Sequence, residues 1–143
     1  MEKLYSNILV AYDGSELSRK ALNMGLQLAK PDKTVKLNIV YVLQPFAVTD
    51  YQGVTAQIWE NLQEDAKRMM ERVKQSLHAV ENPVHVRIIH GHVGKNIVEF
   101  AQNHGIDLIV MGSRGLSGLK ELFLGSASHY VTQHATCPVL IVK

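Results

Sequence analysis

The chain has 143 residues, of which 46% are hydrophobic and 20% are charged, a length and composition typical of one soluble globular domain. The 15 basic and 13 acidic residues give a formal net charge of +2, which is too small to indicate a nucleic-acid or membrane-surface binder. The single cysteine, Cys137, excludes an intramolecular disulfide and a cysteine-built metal cage. We see no signal peptide and no apolar stretch of the ~20 residues that span a bilayer, so we expect a cytoplasmic protein.

The first third of the chain predicts two strands and a helix between them. The apolar run Asn7–Tyr12 predicts a buried strand that ends at the turn Asp13-Gly14-Ser15. Apolar residues at helical spacing follow over Ser15–Lys30, where Ser15 is the predicted N-cap and Pro31 stops the helix. A second apolar run predicts a strand over Val35–Leu43.

The middle of the chain predicts a connection and a long helix. Phe46–Val54 has no clear period and is predicted to form a mobile connection. The helix is predicted over Thr55–Val80, where Glu64 and Arg68 are spaced to form a surface ion pair. Its apolar residues form one stripe, which comprises Ile58, Leu62, Ala66, Met69, Met70, Val73, Leu77 and Val80.

The last part of the chain continues the alternation of strands and helices. A third strand, Val84–His90, is followed by a short helix, Gly94–His104, which Gly105 ends. The last elements are a strand, a helix and a strand, predicted over Asp107–Met111, Ser126–His134 and Val139–Val142. Strands separated by helices imply right-handed crossovers. The pattern predicts a single doubly wound α/β domain over residues 1–143, Rossmann-like, with a five-stranded, mostly parallel sheet and helices on both faces.

Polar and glycine residues follow two of the predicted strands. Ligands of open α/β sheets bind beyond the carboxyl ends of the strands, where the winding reverses. Asp13-Gly14-Ser15 follows the first strand, and a segment rich in glycine and serine follows the fourth. If these two strands are neighbours, both segments face one crevice.

The segment after the fourth strand has the composition of a phosphate-binding cradle. Gly112, Gly115 and Gly118 allow close backbone approach, and Gly125-Ser126 opens a helix whose free amides suit an anion. The hydroxyls of Ser126 and Ser128 add two donors. The spacing alone does not separate this interpretation from its alternative, in which the glycines are ordinary turn residues and Ser126 is a plain helix cap.

The same residues carry a resemblance to a known family. Gly112, two residues, Gly115, nine residues and then Gly125-Ser126 match the signature G-x2-G-x9-G-[ST], so the chain resembles the ATP-binding branch of the universal stress protein family. Three further segments are similar to the first strand and turn, the fourth strand and loop, and the last strand of that family, namely Ile8–Ser15, Asp107–Gly115 and Cys137–Val142.

The resemblance implies that ATP binds in the crevice between the first and fourth strands, with Mg²⁺ or Mn²⁺ held through its phosphates. It implies adenosine contacts from the Ala11 backbone, Asp13 and Val42, although Asp13 can also be read as a cap of the first helix. The implied contacts to ribose and phosphates come from Gly112, Ser113, Arg114, Gly115, Leu116, Ser117, Gly118, Gly125, Ser126, Ala127 and Ser128. It also implies a homodimer that pairs through the last strand, and the bare apolar run Val139–Val142 is itself typical of an edge that pairs.

Other chemistry has less support in the residues. His85, His90 and His92 lie close in sequence without the spacing of a further metal ligand, and Cys137 is read as a buried, inert thiol. Ser117 lacks the G-x-S-x-G elbow of a nucleophile, so no catalytic residue is identified. Three functions stay open: a nucleotide-binding regulatory module in stress response, a slow ATP hydrolase or phosphotransferase that uses Asp13 and a metal, and a dimeric interaction protein with an empty site.

Overall fold

The computed structural model describes residues 4–45, 54–115 and 124–143. The predicted connection Phe46–Val54, apart from Val54 itself, and the predicted site residues Leu116, Ser117 and Gly118 therefore lie outside the described residues. The described elements, in chain order, are β1 (Asn7–Ala11), α1 (Glu16–Ala29), β2 (Lys36–Leu43), α2 (Val54–Ser76), β3 (Val84–His90), α3 (Val93–Asn103), β4 (Leu108–Gly112), α4 (Ser126–His134) and β5 (Val139–Val142).

The five strands form one parallel sheet in the order β3-β2-β1-β4-β5. The predicted fold class is confirmed. The chain winds outward from β1 through β2 to β3 and then crosses back to β4 and β5. The winding therefore reverses between β1 and β4, which is the point at which such sheets bind ligands.

Each face of the sheet is covered by two helices and carries its own apolar core. On one face α1 and α2 bury Ala21, Leu22, Met70 and Val73 against Ile8 and other strand residues. On the other face α3 and α4 bury Ile97, Phe100 and Val131 against Leu9 and other strand residues. The strands β1 and β4 are buried from both sides because their residues alternate between the two cores.

Local signals in the sequence place the ends of two helices. The hydroxyl of Ser15 accepts a hydrogen bond from the Ser18 amide, so Ser15 is the N-cap of α1 as predicted. Gly105 follows α3 with φ = +64°, the left-handed conformation that glycine adopts most readily after a helix. None of the described helices is long and apolar enough to cross a bilayer.

The long helix α2 differs from its prediction in length and burial. It ends at Ser76 rather than Val80, and Ile58 and Leu62 of the predicted apolar stripe are 44% and 37% exposed. A 23-residue helix is about 35 Å long, whereas the longest strand, with eight residues, spans about 26 Å. The first turns of α2 therefore extend beyond most of the sheet, although Trp59 contacts His90 at the end of β3. Burial by the described residues begins at Ala66.

Two local predictions were wrong. Arg68 pairs with Asp65 at 2.5 Å rather than with Glu64, which instead lies 3.7 Å from Lys67; partners three residues away are as accessible on a helix as those four away. Asp107 does not belong to the fourth strand. Its carboxylate accepts hydrogen bonds from the Ser6 amide and hydroxyl and from the Asn7 amide, so it fastens the start of β1 to the start of β4.

Candidate functional site

A cleft of about 350 Å³ opens at the carboxyl ends of β1 and β4. The two segments singled out in the sequence do face one crevice, because β1 and β4 are hydrogen-bonded neighbours. The predicted site residues that line this cleft are Ala11, Asp13, Gly112, Arg114, Gly115, Gly125, Ser126, Ala127 and Ser128.

Asp13 lies in the turn between β1 and α1, where its carboxylate helps to hold the backbone. Oδ1 accepts a hydrogen bond from the Ser15 amide at 2.9 Å, and Gly14 between them has φ = +84°. Asp13 is not the N-cap of α1, since that position belongs to Ser15. Burial, and then the negative charge of Asp13, raise the pKa of the Tyr41 hydroxyl, so the field of this carboxylate extends to β2.

The glycines at the end of β4 and after it have different structural roles. A β-carbon on Gly112 would stand 2.8 Å from Leu17 Cβ, so this glycine lets α1 pack closely on β4. A β-carbon on Gly115 would stand 2.6 Å from Asp13 Oδ2, within the cleft. A β-carbon on Gly125 would make ordinary contact with Arg114 Cα at 3.4 Å. Gly112 thus fits the interpretation as a packing residue, whereas Gly115 keeps the cleft open beside Asp13.

The amino terminus of α4 faces the cleft with free backbone amides. The first intrahelical bond runs from His129 N to Gly125 O, so the amides of residues 126–128 precede it and have no partner one turn back. The N-cap, Gly125, supplies no side chain to satisfy them. These amides and the positive end of the helix dipole favour an anion at this place.

The two hydroxyls of α4 have different roles, which corrects the prediction that both are donors to a ligand. Ser126 is exposed at the cleft. Ser128 is only 2% exposed, and its hydroxyl donates to Ser113 O at 2.8 Å and lies 3.1 Å from Gly125 O. The Ser128 hydroxyl therefore fastens α4 to the loop after β4, and only its backbone amide is left for a ligand.

Two predicted contact residues do not line the described cleft. Ser113 is 4% exposed; its amide donates to Val142 O, and its carbonyl accepts from the Gly125 amide. Val42 is 8% exposed and packs in the core beneath α3, and the residue of this chain segment that lines the cleft is Gln44. A role for Val42 at an adenine ring stays a prediction.

The start of α3 also lines the cleft, which the sequence interpretation missed. His92, Val93 and Gly94 contribute to its wall. Nδ1 of His92 accepts a hydrogen bond from the Lys95 amide at 3.1 Å and caps α3, so a neutral ring carries its proton on Nε2. Gly94 brings α3 against α4, since a β-carbon there would stand 2.8 Å from Tyr130 Cβ. The sequence feature that could have identified this wall is a histidine between two glycines, directly after the predicted third strand.

The charge of the cleft suits an anion with a bound cation better than a metal held by protein alone. Asp13 is the one carboxylate among the described residues that line it, and Arg114 is the one arginine or lysine. Within the described ranges no three histidine, cysteine or acidic side chains form a metal-ligating group. His90 and His92 instead make ring contacts, with Trp59 and Tyr130 respectively, each at 5.5 Å between centroids.

The comparison with protein families accounts for nearly the whole chain. The model of the universal stress protein family matches residues 4–143. The chain belongs to this family. The resemblance stated from the sequence is thereby confirmed, although the family match does not itself test the glycine signature.

Relatives and solved structures agree with this assignment. Universal stress protein YxiE of Bacillus subtilis is 37% identical, and the alignment covers 98% of this chain and all of that protein. The structure of MJ0577 from Methanocaldococcus jannaschii has a TM-score of 0.86 at 32% identity, covering 98% of this chain and 96% of that one. A universal stress protein solved in complex with cAMP has a TM-score of 0.64 at 28% identity, covering 97% of both chains.

Proposed function

We propose that this universal stress protein is a nucleotide-dependent regulatory module that binds ATP in the cleft between β1 and β4. The observation that carries the proposal is the amino terminus of α4, whose uncapped amides face a cleft also lined by Arg114. Phosphates are the anions that such helix ends bind. The volume of about 350 Å³ lies within the range of small-molecule sites.

Each part of the nucleotide has residues of suitable chemistry. The triphosphate lies at the amides of residues 126–128 with the Ser126 hydroxyl beside them, and the Arg114 guanidinium offers a further charged donor. Asp13 contacts the ribose or a Mg²⁺ or Mn²⁺ ion held through the phosphates. The universal stress protein in complex with cAMP supports an adenine nucleotide as the ligand class.

A regulatory role is favoured over turnover by the shortage of catalytic groups. Phosphoryl transfer needs a positioned base or acceptor in addition to a phosphate cradle. Asp13 is the only carboxylate that lines the described part of the cleft, and its Oδ1 accepts the Ser15 amide. Slow ATP hydrolysis, with Asp13 and a metal, is the alternative that the experiment below separates.

The proposal includes a homodimer in the cytoplasm, formed through β5. This strand lies at the end of the sheet beside β4, and all four of its residues are partly exposed. An open strand edge offers unpaired amides and carbonyls, and antiparallel pairing about a two-fold axis covers both copies at once. The single cysteine suits a reducing compartment, since the fold requires no disulfide.

The first experiment is denaturing release and chromatography of the nucleotide that co-purifies, followed by calorimetry on the emptied protein. We expect magnesium-ATP to bind at least about tenfold more tightly than adenosine, because charge-assisted phosphate contacts contribute this much. Equal affinity for magnesium-ATP and for adenosine would show that the cleft has no phosphate-binding cradle. If no nucleotide co-purifies and none binds, the glycine loop is a structural turn and the protein is an interaction module.

Turnover is measured on the same samples. A regulatory module holds ATP unchanged over hours with magnesium present, whereas a hydrolase releases ADP in amounts that exceed the protein. If the original protein releases ADP in amounts that exceed the protein and the Asp13→Asn variant does not, the protein is an ATP hydrolase. This result would overturn the regulatory proposal.

A further inference from the structure

A second cavity of about 450 Å³ lies on the other side of the β1–α1 turn from the nucleotide cleft. It lies between α1 and α2, and we refer to it as the α1–α2 groove. These two helices do not pack closely along their lengths, whereas α3 and α4 do, where Gly94 lets Tyr130 approach. The groove therefore lies on the face of the sheet that α1 and α2 cover.

The rim of the groove is basic. Arg19 on α1 and Arg72 on α2 line it together with Asn23, and no carboxylate is among its described lining residues. Arg72 has no ion-pair partner in the part of the chain that the structure describes, in contrast to Arg68 one turn earlier, which is paired with Asp65. Two guanidinium groups from facing helices, without an internal counter-charge, favour a carboxylate or phosphate between them.

A tyrosine lines the same groove. Tyr12 is 9% exposed, and its side chain packs in the layer between the sheet and α1 and α2. Within the described ranges its hydroxyl makes no hydrogen bond, and no side-chain polar atom there is buried without a partner. The hydroxyl is therefore open to solvent, and Tyr12 lines both the groove and the cleft. A ligand in the groove would replace solvent as the partner of this hydroxyl.

The floor of the groove is apolar. Leu22, Met69 and Val73 lie between the polar groups of the rim. A bare inorganic anion would leave these side chains without contact, whereas a ligand with an apolar body beside its charge would cover them.

We propose that the α1–α2 groove binds a small organic anion, a carboxylate or phosphate monoester with an apolar body. Arg19 and Arg72 hold the charged group, the Tyr12 hydroxyl donates to it, and Met69 and Val73 cover the apolar part. This second site does not depend on nucleotide binding in the cleft. The two cavities share Tyr12 but differ in their methionines, since Met69 lines the groove and Met111 lines the cleft.

The test is a titration of protein carrying ¹³C-labelled methionine methyl groups, followed by NMR, with phenyl phosphate as the probe. The Met69 signal is assigned by the Met69→Leu variant. We expect it to shift saturably while the Met111 signal stays in place, and we expect phenol and inorganic phosphate to bind at least about tenfold more weakly. A Met69 signal that does not move, or one that shifts equally with inorganic phosphate, would overturn the proposal. Movement of Met111 alone would do the same.

Matched variants locate the contact. Arg72→Gln is expected to weaken the phenyl phosphate titration by about tenfold, as the loss of a charge-assisted hydrogen bond does, and Arg68→Gln on the same helix is expected to leave it unchanged. Both positions are exposed, so neither change threatens the fold. Tyr12→Phe removes only the hydroxyl and should weaken binding severalfold. Equal titrations in all three variants would place the probe elsewhere.

Discussion

The Asp13 carboxylate occupies the space that a side chain on Gly115 would need. A β-carbon at position 115 would stand 2.6 Å from Asp13 Oδ2, although the two residues are 102 positions apart. They meet because β1 and β4 are neighbours and each residue follows the carboxyl end of its strand. This contact joins the two segments of the cleft, so a substitution at either residue is expected to change the position of the other.

The first prediction concerns this contact. Gly115→Ala should displace the Asp13 carboxylate and lower ATP affinity by about tenfold, because a charged group that contacts the ribose or the metal ion is turned away. The thermal midpoint should change little because Gly115 is exposed. Calorimetry with magnesium-ATP measures the effect.

A double-mutant cycle identifies the cause of that loss. In the Asp13→Ala background the added methyl group no longer meets a carboxylate, so Gly115→Ala should cost much less affinity there. If the cost is the same in both backgrounds, the methyl group acts on the nucleotide directly and not through Asp13.

A second prediction separates the role of Asp13 in the β1–α1 turn from a role in binding. Asp13→Asn keeps an oxygen that can accept the Ser15 amide, so the free energy of unfolding should stay within about 0.5 kcal/mol of its original value. Asp13→Ala loses the acceptor and should cost about 1 kcal/mol. Both variants should lose the magnesium-dependent part of ATP affinity, measured by calorimetry. An Asp13→Asn variant that binds magnesium-ATP normally would show that Asp13 serves the turn alone.

A third prediction compares two hydroxyls on one helix. Ser128→Ala should destabilise the protein by about 1–2 kcal/mol in urea unfolding, because the buried hydroxyl donates to Ser113 O. Ser126→Ala should leave stability unchanged and weaken ATP severalfold, because Ser126 is exposed at the cleft. The reverse pattern would assign the ligand contact to Ser128.

The contrast between these serines shows what the sequence predicts and what it does not. Buried apolar runs separated by glycine, proline and capping residues predicted the nine elements of the described residues and the two segments that meet at the cleft. The side chains of residues two apart on a helix point about 200° apart. Only one of the hydroxyls of Ser126 and Ser128 can therefore point into the cleft, and the sequence does not say which. His92 was missed because its place depends on the crossover from β3 to β4 and on the packing of Gly94 against Tyr130, which are long-range contacts.

A fourth prediction concerns pH. Burial, and then the negative charge of Asp107, raise the pKa of the Cys137 thiol. The alkylation rate with iodoacetamide should therefore rise at a higher pH in the native protein than in the urea-unfolded chain, where the thiol titrates near its ordinary value of about 8.5. Asp107→Asn removes the charge and keeps one of the two acceptor oxygens that the Ser6 and Asn7 amides use. It should lower the native midpoint only in part, because burial is the larger cause.

The same pKa shift determines how stability changes with pH. Above the unfolded pKa the unfolded chain loses the thiol proton while the native protein keeps it. The contribution of Cys137 is therefore complete below the unfolded pKa and is lost as the pH rises through the native value. Cys137→Ala should remove this part of the alkaline loss in urea unfolding. If the free energy of unfolding falls equally with rising pH in the variant and in the original protein, the raised pKa of Cys137 is contradicted.

The last prediction tests the proposed dimer at the backbone of β5. The carbonyls of Pro138 and Val142 accept amides from β4 and from the residue after it, and peptide groups alternate in direction along a strand. Ile141 therefore directs its amide to the open edge. Ile141→Pro removes that donor without removing a bond to β4, a substitution that edge strands tolerate. We expect a monomer in sedimentation equilibrium with retained circular dichroism. A folded Ile141→Pro variant that dimerises as tightly as the original protein would place the interface on another surface, since pairing through β5 uses this amide.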